Sequence, residues 1–149
     1  MSKVLILYDT RTGNTGRMAR AVVDGAKSVE GVDVVLKRVR EGGGELAGAD
    51  GIILGSPTHS TQPGRAMKQL LSGLSSVPLK GKMGGAFGSY GWSGEAPGII
   101  ARALKGQGVR IIGQAVRVRR RPSANDLTRC RDLGRAVAES VATMGGQKE

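Results

Sequence analysis

The sequence predicts an α/β fold, a doubly wound sheet of five parallel strands with helices on both faces. Three observations carry that expectation. Apolar runs rich in β-branched residues recur five times along the 149 residues, and amphipathic stretches with helical spacing fill the gaps between them. Polar, glycine-rich segments follow the first, third and fourth runs. Strand and helix patterns in alternation are the signature of a parallel sheet wrapped by its own crossover helices.

The strands are expected near 3–8, 32–38, 51–55, 83–87 and 109–118. A first helix is expected from Thr15 to Val29, with Met18, Val22, Ala26 and Val29 on one face and Arg17, Arg20, Asp24 and Lys27 on the other. That spacing belongs to a helix half buried against a sheet. Between the second and third strands, "REGGGELAGAD" is so short and rich in glycine that its crossover is limited to a turn or two of helix. The third helix uses Met67, Leu70, Leu71 and Leu74. A fourth begins near Gly94–Pro97, where Pro97 suits a first-turn position, and turns Ile99, Ile100, Ala103 and Leu104 to the sheet. The last starts at a capping box, Ser123 with Asp126, and carries the inward stripe Leu127, Cys130, Val137 and Val141. With no linker or internal repeat visible and 39% apolar residues, residues 1–149 are expected to form a single domain around one sizeable core.

Composition narrows the function. A formal charge of +11 favours an acidic partner or a polyanion. Only four aromatics, Tyr8, Phe87, Tyr90 and Trp92, are available as stacking platforms, and the cations are scattered apart from "RVRRR" at 117–121. A solvated basic surface is therefore the simpler reading, ahead of nucleic-acid binding. The arginines of that run read as alternating strand residues entering a loop, and Glu41 and Glu45 as decorations of a turn. One cysteine, Cys130, permits no internal disulfide, and one histidine, His59, supplies no metal-ligand set. No apolar run reaches the roughly 18 residues of a membrane span, and "MSKVLILYDT" reads as a strand rather than a leader, so a cytoplasmic protein without a membrane partner is expected.

The segments "DTRTGNT", "SPTHSTQPG" and "GSYGWSGEA" stand at the carboxyl ends of the first, third and fourth strands, where open parallel sheets bind their ligands. The first leads into a helix, whose unpaired N–H groups and positive dipole end suit a phosphate. Thr10, Thr12, Asn14 and Thr15 add side-chain donors, and Gly13 lets the backbone come close. Gly13 and Gly16 are three apart with no lysine nearby, which fits neither the nucleotide-triphosphate loop nor the dinucleotide fingerprint and points to one terminal phosphate. The simpler alternative is that these residues only cap the helix. His59, taken alone, is equally an exposed loop histidine or a site residue.

"YDTRTGNT" resembles the FMN-phosphate loop of the flavodoxins: an aromatic, any residue, Ser or Thr, two residues, a small residue, any residue, then Thr. Tyr8, Thr10, Gly13 and Thr15 fill the specified positions. "ADGIILGSPTHS", "GGAFGSYGWSGEA" and "RPSANDLTRCRDLG" are similar to the flavodoxin domain of the A-type flavoproteins, where it is joined to a di-iron domain. With one histidine and no length for a second domain, this chain is read as that module standing alone. The resemblance implies a flavodoxin-like fold with strand order 2-1-3-4-5 and FMN as cofactor. It implies that Thr10, Arg11, Thr12, Gly13, Asn14 and Thr15 hold the phosphate, and that Pro57, Thr58, His59 and Ser60 line one side of the isoalloxazine. Ser89, Tyr90, Gly91, Trp92, Ser93 and Gly94 then line the other, with Trp92 as the stacking residue. Many family members carry glycine where Ser60 stands; it permits a peptide flip towards the reduced flavin's N5, a backbone change that a non-glycine residue makes more costly.

The function so implied is single-electron transfer between redox proteins, here acidic, ferredoxin-like ones. An FMN-dependent quinone or NAD(P)H oxidoreductase of the same fold is the alternative, and a flavin-free module using its basic face on nucleic acid is the third. No nucleophile–base pair suggests a catalytic residue.

Overall fold

The structure is a computed structural model that describes residues 2–148, with side chains through Met144. In chain order its elements are β1 (Ser2–Tyr8), α1 (Asn14–Lys27), β2 (Val32–Arg38), α2 (Val39–Gly42), β3 (Gly51–Gly55), β4 (Thr58–His59) and β5 (Gln62–Pro63). There follow α3 (Arg65–Ser72), β6 (Met83–Tyr90), α4 (Ala96–Gly106), β7 (Arg110–Ile111), β8 (Val116–Arg119) and α5 (Ala124–Lys148).

The main sheet runs β2-β1-β3-β6, with β7 and β8 both on the outer edge of β6, and every pairing in it is parallel. This is the expected 2-1-3-4-5 order, with β6 as the fourth strand and β7 plus β8 as the fifth. Two differences matter. The fifth strand is interrupted at residues 112–115, where Gly113 takes φ 69°. The fourth runs beyond residue 87 to Tyr90, because β8 continues the ladder by pairing Ser89 with Val118 and Tyr90 with Arg119. The hairpin β4–β5, expected as plain loop, forms a small antiparallel pair of its own.

Alternate residues of each strand face opposite layers. Val4, Ile6, Ile53 and Phe87 meet α1 and α5 through Met18, Val22, Cys130, Leu133 and Val137. Leu5, Leu7, Ile52, Leu54 and Ala86 meet the other layer through Met67, Leu74, Ile100 and Leu104. Helices α1 and α5 approach backbone to backbone: a Cβ on Gly134 would overlap the Val22 carbonyl, and one on Gly25 the Arg131 carbonyl.

The capping box of α5 is present, with Ser123 N–H donating to Asp126 Oδ2 at 2.8 Å and Asp126 N–H to Ser123 Oγ at 3.1 Å. On β8, Val116 and Val118 are buried while Arg117 and Arg119 are exposed, the alternation the sequence predicts. Glu45 does more than decorate a turn. It pairs with Lys37 at 2.5 Å and Lys3 at 3.4 Å, tying the short turn after α2 to the edge strand β2 and its neighbour β1. Among the described residues no helix is long and apolar enough to cross a membrane.

Candidate functional site

Strands β1, β3 and β6 are neighbours at the middle of the sheet, so their carboxyl ends deliver three loops to one place. Backbone bonds weld those ends together: Asp9 N–H donates to Gly55 O at 3.1 Å, and Ser56 N–H to Phe87 O at 3.2 Å.

In the first loop Gly13 N–H donates to Thr10 Oγ1 at 3.1 Å, which curls the chain before α1. Gly13 lies in the left-handed region at φ 92°, and a Cβ there would meet open space. The loop thus has a clear approach to its backbone. Gly13 is also the residue that precedes α1, and no side chain caps the helix. Asn14 accepts instead from Arg17 Nη1 at 3.1 Å. Capping therefore does not explain the polar residues, since the first-turn N–H groups keep no side-chain acceptor and no acidic residue stands in that turn. Thr15 is buried, its Oγ1 2.7 Å from Ser89 Oγ, whereas Arg11 and Thr12 are exposed.

In the second loop Pro57 is buried and Thr58 Oγ1 accepts from Ala96 N–H at 3.0 Å, so this threonine ties its loop to the start of α4. Ser56, fully buried, accepts from Gly64 N–H at 2.8 Å and closes the base of the β4–β5 hairpin. Its two turn residues, Ser60 at φ 49° and Thr61 at φ 66°, both sit in the left-handed region. Two-residue hairpin turns of that kind prefer Asn-Gly, and a β-branched residue is strained there. Ser60 thus already has the positive φ that its side chain makes costly, and Thr61 shares the strain.

The third loop is shorter than the sequence predicts, because Ser89 and Tyr90 belong to β6. Ser89 is buried against the first loop, and Tyr90 is half-buried against Gly94. The turn at 91–95 leaves Gly91 exposed, Ser93 and Gly94 half-buried, and Trp92 96% exposed. An indole standing free in the turn that follows β6 is a stacking surface without an internal use.

A flavodoxin family model matches residues 6–134. The chain belongs to the flavodoxin family. It is 36% identical to a flavodoxin of Aquifex aeolicus, with 100% of this chain and 92% of that protein aligned. It is also 36% identical to the type A flavoprotein fprA of Rhodobacter capsulatus, over 98% of this chain and 35% of the relative. The chain therefore spans about a third of the length of that relative. Among solved structures, a flavodoxin from the domain Archaea superposes with TM-score 0.87 at 35% identity, covering 94% of this chain and 99% of that one. Flavodoxins bind FMN, and the open loop before α1 fits its single terminal phosphate.

Beside this flavodoxin loop lie residues that the sequence did not single out. Asp9 follows the aromatic of the motif, and burial raises its carboxyl above the ordinary 3.8. The Ser56 hydroxyl, the Met67 backbone N–H and the charge of His59 oppose that rise. Its Oδ1 is buried with no hydrogen-bond partner among the described residues. Asp9 borders a cavity of about 340 Å³ between the first loop, the β2–α2 junction and the start of α3. Arg11, Arg38, Arg40, Arg65 and His59 also line it. Arg11 and His59 are site residues already expected from the sequence; for Arg38, Arg40 and Arg65 the signal was weak, because their segments are far from the loop along the chain and only the β2-β1-β3 order gathers them.

Proposed function

We propose that this chain is a single-domain, cytoplasmic FMN protein that passes single electrons between redox proteins, acidic ones in particular. The observation that carries the reading is the uncapped start of α1 beside Gly13, with open space where a Cβ would stand. Thr10 to Thr15 hold the phosphate: backbone N–H groups donate at the positive end of α1, and the side chains of Thr10, Thr12, Asn14 and Thr15 complete the shell. The Thr15 and Ser89 hydroxyls are joined by a hydrogen bond that either can donate, so Ser89 acts by positioning Thr15. Pro57, Thr58, His59 and Ser60 line one flank of the ring. Tyr90, Gly91, Trp92, Ser93 and Gly94 line the other, with Trp92 stacking on its face. When bound, FMN supplies the one-electron chemistry; the protein binds, orients and shields it.

A charge of +11 supports an acidic partner, because opposite fields speed encounter. The test is direct. Purified protein should be yellow and release FMN, identified by chromatography after denaturation; release of FAD, or no uptake of FMN by apoprotein, would overturn the reading. Steady turnover of NADPH or a quinone by the loaded protein alone would instead favour a reductase of the same fold.

A further inference from the structure

The arginine-lined cavity lies on the far side of the β4–β5 hairpin from the 91–95 turn, bordered by the β2–α2 junction rather than by β6. It borders the proposed flavin site through Thr10 and Arg11 of the first loop and Pro57 and His59 of the second. Its cations are held ready. Arg38 is opposite Tyr8 in the β1–β2 register, and its guanidinium sits over the Tyr8 ring, 5.2 Å from the centroid. A cation–π contact of this kind holds the guanidinium over the ring without using its N–H donors. Arg40 follows in the first turn of α2, exposed. Arg65 opens α3, a position where the helix dipole disfavours a cation.

Among the described residues, no ion pair joins Arg11, Arg38, Arg40 or Arg65 to a carboxylate. The one carboxylate in the lining, Asp9, makes no ion pair with any of the four among the described residues. Four arginines around one cavity repel each other unless an anion joins them, and a planar guanidinium matches a carboxylate in two-pronged fashion. At about 340 Å³ the cavity is at the small end for a bound ligand and suits side chains better than a dinucleotide. His59 is on its rim and also belongs to the loop proposed to flank the flavin, so a protein seated here is brought against the redox site.

We propose that the cavity formed by Arg11, Arg38, Arg40 and Arg65 is the socket for carboxylate side chains of an acidic redox partner. The socket's role in electron transfer rests on the FMN-carrier reading; its ability to bind the partner does not. Arg38→Gln, Arg40→Gln and Arg65→Gln are combined in one variant, with Arg11 kept because it borders the phosphate loop. The probe is a ferredoxin of net negative charge, with affinity for its oxidised form measured by calorimetry across a salt series, and reduction of the FMN-loaded protein by its reduced form followed by stopped flow.

The variant should lose about tenfold in affinity and rate at low ionic strength, with a shallower salt dependence. FMN affinity and unfolding midpoint should stay at the parent's values. The same count of charges removed on the opposite flank, by Arg117→Gln, Arg119→Gln and Arg121→Gln, should cost clearly less. Unchanged ferredoxin affinity, or an equal loss from the opposite flank, overturns the socket in favour of a diffuse basic surface. If NADPH affinity falls while ferredoxin affinity holds, the cavity serves a nucleotide phosphate and the proposal is likewise overturned. Should the variant unfold, Arg40→Gln alone, on an exposed residue, must show the same direction of change. A parent protein that takes up no FMN would sink the carrier reading, and the calorimetry on that protein would still decide the socket.

Discussion

The hydroxyl oxygens of Thr15 and Ser89 lie 2.7 Å apart, both buried, across 74 residues of sequence. This bond pins the first turn of α1 to the end of β6 and so fixes two of the three site loops to one another. A double-mutant cycle with Thr15→Val and Ser89→Ala should give a coupling energy of about 0.5–1.5 kcal/mol in urea unfolding of the apoprotein. Ser89→Ala alone should also weaken FMN binding, since it leaves Thr15 unpositioned. Additive effects in the cycle would show that the two hydroxyls do not act together.

Trp92, 96% exposed, packs on nothing that supports the fold. Trp92→Ala should therefore shift apoprotein stability by no more than about 0.5 kcal/mol. FMN affinity should fall by roughly 5- to 150-fold, taking base–aromatic stacking at about 1–3 kcal/mol, and bound-flavin fluorescence should rise. Unchanged affinity with unchanged quenching would place Trp92 away from the ring.

Asp9 gives a signed pH prediction. Burial raises its carboxyl above 3.8, so the folded chain holds the proton where the unfolded chain has released it. Its contribution to stability is full below the unfolded value and is lost as pH rises through the raised folded value. Relative to Asp9→Asn, which cannot titrate, the parent should be at its most stable near pH 3 and lose ground towards pH 7. Urea midpoints of both proteins across that range provide the measurement; the opposite slope would mean that the carboxylate is stabilised in the fold.

The hairpin turn stores strain at Thr61, with φ 66°. A left-handed conformation costs an L-residue roughly 1–2 kcal/mol, and glycine loses about 0.5–1 kcal/mol of backbone freedom, so Thr61→Gly should gain on the order of 0.5–1 kcal/mol. Thermal unfolding of the apoprotein checks this. A lower midpoint would show that the Thr61 hydroxyl, which donates to Ser60 O at 2.6 Å, outweighs the strain.

Cys130 is buried in the α1–α5 layer, and desolvation pushes its thiol up to about 12. The thiolate is the reactive form, so a disulfide reagent near pH 8 should label Cys130 only after denaturant is added. Rapid labelling of folded protein would place the thiol in contact with solvent.

The sequence by itself determined most of the elements and the loop-to-helix step after β1, because those depend on neighbours a few residues away. Helical spacing placed Met18, Val22, Cys130 and Val137 in the core, the Ser123–Asp126 pair started α5, and Tyr8 to Thr15 spelled a loop-to-helix step. Tertiary structure decided what no local pattern contains. The paired strand β8 holds Ser89 and Tyr90 in β6, where the apolar run alone ended at residue 87. The adjacency of β1, β3 and β6 brings Ser89 to Thr15 and Thr58 to Ala96, and the β1–β2 register sets Arg38 over Tyr8. Charge adds over distance in space and not along the chain, so Arg11, Arg38, Arg40 and Arg65 became one cationic cavity only when the parallel crossovers folded their separate segments to the same edge.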